Sequence, residues 1–189
     1  MRKSKAQRQE EILNAAQKVF LKKGFVNTTM EDVIAETSLS KGGFYHYFKS
    51  TNDILYELMA KGIQQRNEKI EEKLDQLDYD HLNDFIAHRI TEKILDNNDK
   101  SKIYVEFLLA KKEDLKLEEL YKRLQKKTKE EILKYFRRIP EYLKDQKKSI
   151  FICEYVNSLI IGNRLLEGGF SANYEIIRKN IKNILDDLS

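Results

Sequence analysis

Apolar residues recur along this chain at spacings of three and four, and caps and breaks divide the pattern into helices. Ser4-Lys5-Ala6-Gln7 has capping-box spacing; behind it Ile12, Ala15, Ala16, Val19 and Phe20 line one helical face, until Gly24 supplies a stop. Thr29-Met30-Glu31-Asp32 opens a short second helix that carries Val33, Ile34 and Ala35 and ends near Thr37. Ser38 and Leu39 separate it from a third short segment, Ser40 to Tyr47, with Ser40 as N-cap. Ser50-Thr51-Asn52-Asp53 caps a long fourth helix to about Leu74, with Ile54, Leu55, Leu58, Ile63 and Ile70 as its apolar positions. Five more helices are expected at about 80–97, 101–112, 115–138, 142–167 and 173–188. The breaks between them are Asp96-Asn97-Asn98-Asp99, Lys112-Glu113-Asp114, Arg138-Ile139-Pro140 and Gly168-Gly169. The pattern predicts about nine helices and an all-α fold.

Composition agrees with that pattern. One proline, seven glycines and no tryptophan leave few helix breakers, while 41% hydrophobic residues suffice for a core. Cys153, the only cysteine, cannot form an intramolecular disulfide and reads as a small buried hydrophobe in the run Ile150-Phe151-Ile152-Cys153. No stretch is long and apolar enough for a bilayer, and no apolar region follows Met1-Arg2-Lys3-Ser4-Lys5, so a soluble cytoplasmic protein is expected.

Charge placement sharpens the picture. Residues 1–50 hold nine Lys/Arg against five Asp/Glu, which accounts for the whole net charge of +4. Residues 51–99 are acidic (6 basic, 12 acidic) and residues 100–150 basic (16 basic, 9 acidic). In the latter stretch Lys alternates with Glu along helix faces, the pattern of a solvated surface. A basic N-terminal segment suits a polyanion.

Two short helices joined by a tight turn, behind a supporting helix, make a helix-turn-helix, whose second helix reads the major groove. The segment Ser40 to Lys49 suits that work. Lys41 at the helix N-terminus reaches a guanine edge or a phosphate. Gly42 and Gly43 let the backbone approach DNA, at about 1 kcal/mol each relative to alanine, a cost that a purely structural helix seldom carries. Tyr45, His46, Tyr47 and Thr29 offer polar tips to phosphate oxygens, while Phe44 and Phe48 read as core, against Phe20, Val33 and Ile34.

The run Phe20…Gly24-Phe25…Thr28-Thr29…Ile34-Ala35…Ser38…Ser40-Lys41-Gly42-Gly43-Phe44-Tyr45-His46-Tyr47-Phe48-Lys49 resembles the N-terminal signature of the TetR family of bacterial regulators, from about residue 8 to 58. Residues 59–189 resemble it only in length and helical character. The resemblance implies a DNA-binding domain over 1–50 and an effector-binding and dimerisation domain over 51–189. It places Thr29, Ser40, Lys41, Gly42, Gly43, Tyr45, His46, Tyr47 and Lys49 at the DNA, with Lys41, Gly42 and Gly43 nearest the bases. Two positions depart from the commonest family pattern. Gly43 replaces a frequent Thr, Ala or Ser, and Thr51 replaces a lysine that often contacts phosphate.

For the C-terminal part the resemblance implies a cavity for a small molecule, of apolar or amphipathic character, and a dimer made by the last two helices. Phe85, His88, Tyr104, Phe107, Tyr135, Tyr155 and Asn163 are its cavity candidates, each also readable as plain packing. Leu159, Gly162, Leu166, Ile177, Ile181 and Ile184 are its dimer candidates; Gly162 either permits close helix approach or is neutral surface. A palindromic double-stranded operator follows from such a two-fold dimer. No cofactor, metal or membrane partner is expected. His46, His81 and His88 are scattered, and no phosphate loop or nucleophile motif occurs, so catalysis is not expected. The function implied is that of a repressor released from its operator by an effector. A DNA-binding protein whose bundle takes a protein partner, and an activator, remain alternatives.

Overall fold

The computed structural model describes residues 3–74, 81–135, 140–166 and 170–189. Among them there are ten α-helices and no strand: α1 Lys5–Lys23, α2 Met30–Ala35, α3 Lys41–Tyr45, α4 Thr51–Leu74, α5 Leu82–Leu95, α6 Asp99–Ala110, α7 Leu115–Tyr135, α8 Glu141–Lys144, α9 Gln146–Leu165 and α10 Tyr174–Leu188. The chain divides into two compact units, residues 1–67 with 98–131, and residues 68–97 with 132–189.

In the first unit α1 packs against α2 and α6. Its helical face, Ile12, Ala15, Ala16, Val19 and Phe20, is buried as the spacing requires, and Phe20 meets Phe25 edge-on at 5.3 Å between ring centres. Phe44 and Phe48 join this buried set with Val33, Ile54, Leu55 and Leu58. Complete burial of a phenylalanine such as Phe44 stabilises by about 1.5–3 kcal/mol. On α6 and α7, Ile103, Phe107, Leu120 and Leu124 are buried, and Arg123 lies 4.3 Å from the centre of the Tyr56 ring on α4.

In the second unit α5 packs against both α9 and α10. Ala87 and Ile94 face inward with Ile152, Val156 and Ile160 of α9 and Ile181 and Leu185 of α10. Thr91, fully buried, donates its hydroxyl to the Ala87 carbonyl at 2.8 Å, and Asn163 Nδ2 donates to the Ile94 carbonyl at 3.0 Å. Arg178 of α10 pairs with Asp84 of α5.

Three departures from the expected elements have local causes. The helix expected over 142–167 is two helices, because Asp145 turns extended (φ −64°, ψ 124°) and caps α9 by accepting the Lys148 amide. The helix expected from 101 starts at Asp99, because Asn98 takes the Ser101 amide and becomes the N-cap. Cys153, expected to be buried, is half-buried. It stands beside the inward stripe of Ile152 and Val156, where Asn157 Nδ2 lies 3.7 Å from its sulfur. The expected breaks at Arg138-Ile139 and Gly168-Gly169 lie outside the described residues.

Candidate nucleic-acid interface

The residues expected at DNA are the N-cap of α2, the N-cap and body of α3, and the residues just after it, and short-range hydrogen bonds set both helices. Ser4 and Gln7 close the expected capping box of α1. Thr29 caps α2 in a second box: its hydroxyl accepts the Asp32 amide at 3.2 Å, while its own amide and hydroxyl donate to the Asp32 carboxylate at 2.8 and 2.7 Å. Lys23 also holds that carboxylate at 2.6 Å, and with Thr29 it drives the Asp32 carboxyl far below the ordinary carboxylate range. Ser40 caps α3, its Oγ accepting the Gly43 amide at 3.3 Å.

The helix so started buries one side and exposes another. Phe44 and Phe48 are buried; Ser40, Lys41, Gly42, His46 and Lys49 are exposed, as is Thr29; Gly43, Tyr45 and Tyr47 are half-buried. A Cβ at Gly42 would meet nothing within 4 Å, whereas one at Gly43 would lie 3.2 Å from Ser40 Oγ. The two glycines therefore do different work. Gly42 bares backbone to solvent, and Gly43 makes room for the cap.

The basic side chains are partnered. Lys41 Nζ pairs with Glu31 of α2 at 2.8 Å and lies 6.0 Å from the Tyr45 ring centre. This contact pulls the Glu31 carboxyl below its usual range and raises the Lys41 ammonium. Lys49 Nζ donates to the Tyr45 carbonyl at 2.6 Å, and its amide donates to Asp53 at 3.3 Å, joining the residues after α3 to the first turn of α4.

Sequence reading missed two carboxylates. Glu11 on α1 accepts from Lys3 at 2.8 Å, from Arg8 at 2.9 Å, and from the Ser38 hydroxyl and amide at 2.8 and 3.2 Å. Lys3 first, then Ser38, lowers its carboxyl from 4.5 to about 2. Glu11 thus anchors the turn between α2 and α3. Glu31 is the other, holding Lys41. Capping-box spacing marks Asp32, but nothing local marks Glu11 for Ser38.

The residues expected in an effector cavity are distributed over both units. Phe107 is buried in the first unit between Tyr104 and Tyr121, 6.2 and 6.3 Å away, as core. In the second, His88 bonds Tyr174 and faces Glu92 at 3.6 Å, Phe85 is half-buried, Tyr155 stacks on Phe151, and Asn163 is held by Ile94. The Tyr135 side chain lies outside the described residues. A hollow of about 340 Å³ in the second unit is lined by His81, Leu82, Asn83, Asp84, Pro140, Lys182 and Asp186, and none of the seven candidates lines it.

Of the expected dimer residues, Ile181 is buried within the second unit. Leu159, Ile177 and Ile184 are half-buried, a Cβ at Gly162 would meet open space, and Leu166 is 74% exposed. Phe151, Leu165 and Ile176 extend this exposed apolar surface. Among the described residues no helix is long and apolar enough to cross a membrane, and no three His, Cys, Asp or Glu side chains are grouped to hold a metal.

The family match lies over α1 to α4, while the structural matches run over most of the chain. Residues 12–58 match the family model for bacterial regulatory proteins of the tetR family. The chain is 41% identical over 71 residues, 38% of its own length, to the HTH-type transcriptional regulator YfiR of Bacillus subtilis, and this match spans only 35% of YfiR. It is 31% identical over 140 residues to an HTH-type transcriptional regulator from the lacX 3′ region of Lactococcus lactis, covering 65% of this chain and 67% of that one. A TetR-family regulator from Syntrophomonas wolfei shares the fold at a TM-score of 0.74 and 20% identity, over 96% of both chains. The multidrug binding protein EbrR, solved with ethidium, shares it at 0.69 and 14% identity, over 96% of this chain and 99% of that one.

Proposed function

Because the chain belongs to the TetR family of bacterial regulatory proteins, we propose that it is a dimeric transcriptional repressor that a small molecule releases from its operator. Family membership makes it a helix-turn-helix transcriptional regulator; repression, release and dimerisation are the proposal, as are the absence of catalysis and a cytoplasmic location.

The observation that carries the DNA-reading site is the two-sidedness of α3, with Phe44 buried and Lys41 and Gly42 bare. In this reading Lys41 exchanges Glu31 for a guanine edge or a phosphate, and Gly42 lets the helix backbone approach the groove. Thr29, Ser40, Tyr45, His46, Tyr47 and Lys49 contact the phosphates, and Gly43 leaves room for Ser40 to cap α3. The hydrogen bond from Lys49 to Asp53 supports a route by which movement of α4 reaches the reading segment. Effector binding then alters the spacing of the two recognition helices in the dimer, and the complex dissociates. EbrR, whose structure holds ethidium, supports a small-molecule effector. The effector's contacts are proposed among the second unit's candidates, Phe85, His88, Tyr155 and Asn163.

Mobility shift of the full chain on the DNA upstream of its own coding region, across a salt series with competitor, tests the reading. A discrete, competitor-resistant complex of dimer stoichiometry is expected. Lys41→Ala should weaken it by about 1–3 kcal/mol; unchanged affinity would remove Lys41 from the site. A second reading puts a protein partner in place of the small molecule. An effector raises the melting temperature and weakens the DNA complex together, and a partnered bundle shows no such response to a compound library.

A further inference from the structure

Glu106 sits in the middle of α6, between Val105 and Phe107, both buried. Its carboxylate accepts two consecutive backbone amides from a segment 81 and 80 residues away: Phe25 N–H at 2.9 Å on Oε2 and Val26 N–H at 3.2 Å on Oε1. Those amides follow Gly24, which ends α1 at φ +80°, a backbone region that other residues rarely adopt. A Cβ at Gly24 would stand 2.8 Å from Glu106 Oε1. Bend and carboxylate are thus fitted to one another. The same bend runs directly into the reading head, for Thr28 donates its hydroxyl to the Gly24 carbonyl at 2.7 Å, and the next residue, Thr29, is the N-cap of α2.

We propose that Glu106 is the positioning residue that ties α6 to the DNA-reading helices. It fixes the α1–α2 bend, and with it the entry of the chain into α2 and the placing of α3. The buried neighbours Ile103 and Phe107 hold Glu106 to the motion of its helix, so a displacement of α6 beyond hydrogen-bond reach frees two adjacent amides at once. This inference rests on α3 being the DNA-reading element, and it adds the regulation of that site.

Electrostatics and positioning predict opposite signs. Removing a carboxylate from a chain of net charge +4 favours a polyanion, whereas freeing the bend weakens binding. The test uses full-length wild type, Glu106→Ala, the isosteric Glu106→Gln, and Glu113→Gln, the same charge change at an exposed residue. Two quantities are read: hydrogen exchange at residues 25–47, and affinity over a salt series for DNA that the wild type enriches from a random pool. Glu106→Ala should speed exchange of the Phe25 and Val26 amides at least tenfold and weaken binding about tenfold with the salt slope unchanged. Glu106→Gln, with one acceptor left, should fall between, and Glu113→Gln should not weaken binding. Affinity that is unchanged or tighter in Glu106→Ala overturns the proposal. So does a loss of affinity while the Phe25 and Val26 amides stay protected. If the wild type enriches no sequence, the DNA-reading assignment fails, and the exchange data alone still decide whether Glu106 holds the bend.

Discussion

The reading head and the last two long helices handle their surfaces in opposite ways. From Ser4 to Asp53 the helix starts are closed by side chains, and the cations Lys3, Arg8, Lys23 and Lys41 are each met by a carboxylate nearby. Its large apolar residues are mostly buried, with Val26 and Leu21 the exposed exceptions. On α9 and α10, by contrast, Phe151, Leu165, Leu166 and Ile176 are between 50% and 74% exposed. A surface of exchangeable ion pairs suits a polyanion, because each intramolecular partner can be replaced by a phosphate at small net cost. An exposed apolar strip suits another protein surface, because only burial satisfies it. The difference supports the proposal that the two regions take different kinds of partner.

Removing the support under α3 should produce the largest effect. Phe44 is fully buried, so Phe44→Ala should cost about 3–5 kcal/mol, a large share of the roughly 5–15 kcal/mol typical of a domain. Denaturation midpoint and DNA binding should fall together. A variant that melts like wild type would mean that α3 does not depend on its buried face, and the two-sided reading would collapse. Next in size is the apolar strip. Leu166→Glu places a charge where 74% of the side chain is exposed in the single chain, so it should leave the fold intact and convert a dimer to a monomer in light scattering. If the variant remains a dimer, this end of α9 lies outside the interface.

Acid should loosen the reading head at its turn. The folded-state carboxyl of Glu11 lies at about 2 against an ordinary 4.5, so its contribution is complete above pH 4.5 and disappears as pH falls toward 2. The Glu11 carboxyl resonance should titrate near 2 and the Ser38 amide should follow it. In Lys3→Ala the midpoint should move toward 4.5, since Lys3 is the largest cause. A midpoint already near 4.5 in wild type would dissolve the anchor between α1 and the turn.

Legibility in the sequence follows the same divide. The first four helices could be read because their signals are local: Ser4 with Gln7, Thr29 with Asp32, Ser40 before its glycines, and an apolar period that buries Ile12 through Phe20. Elsewhere local signals competed. Asp145 lies inside one expected helix yet caps a new one, and Asn98 lies in an expected break yet caps a helix that starts at Asp99. Pairings at long separation had no signal at all. Glu11 with Ser38 and Glu106 with Phe25 are exposed-type acids in unremarkable helical positions until the fold brings a backbone amide to them. Nor does hydrophobic period divide the chain into units, since the inclusion of α6 and most of α7 with the N-terminal helices is a matter of tertiary packing.

The smallest predicted effect tests where the reading head ends. Thr51 is the first residue of α4, where the resemblance read from the sequence leads one to expect a lysine on phosphate. A lysine there has two consequences of opposite sign. In the free protein it sets a cation against the positive end of the helix dipole, costing about 0.3–1 kcal/mol and less in salt. In the complex it adds one phosphate contact, which should steepen the dependence of log affinity on log salt by about 0.9. Thr51→Lys should therefore melt slightly lower yet bind DNA more tightly at low salt, with the advantage fading as salt rises. Lower stability without a steeper slope would mean that the first turn of α4 does not approach the phosphates, and the DNA-facing surface would then stop at Lys49.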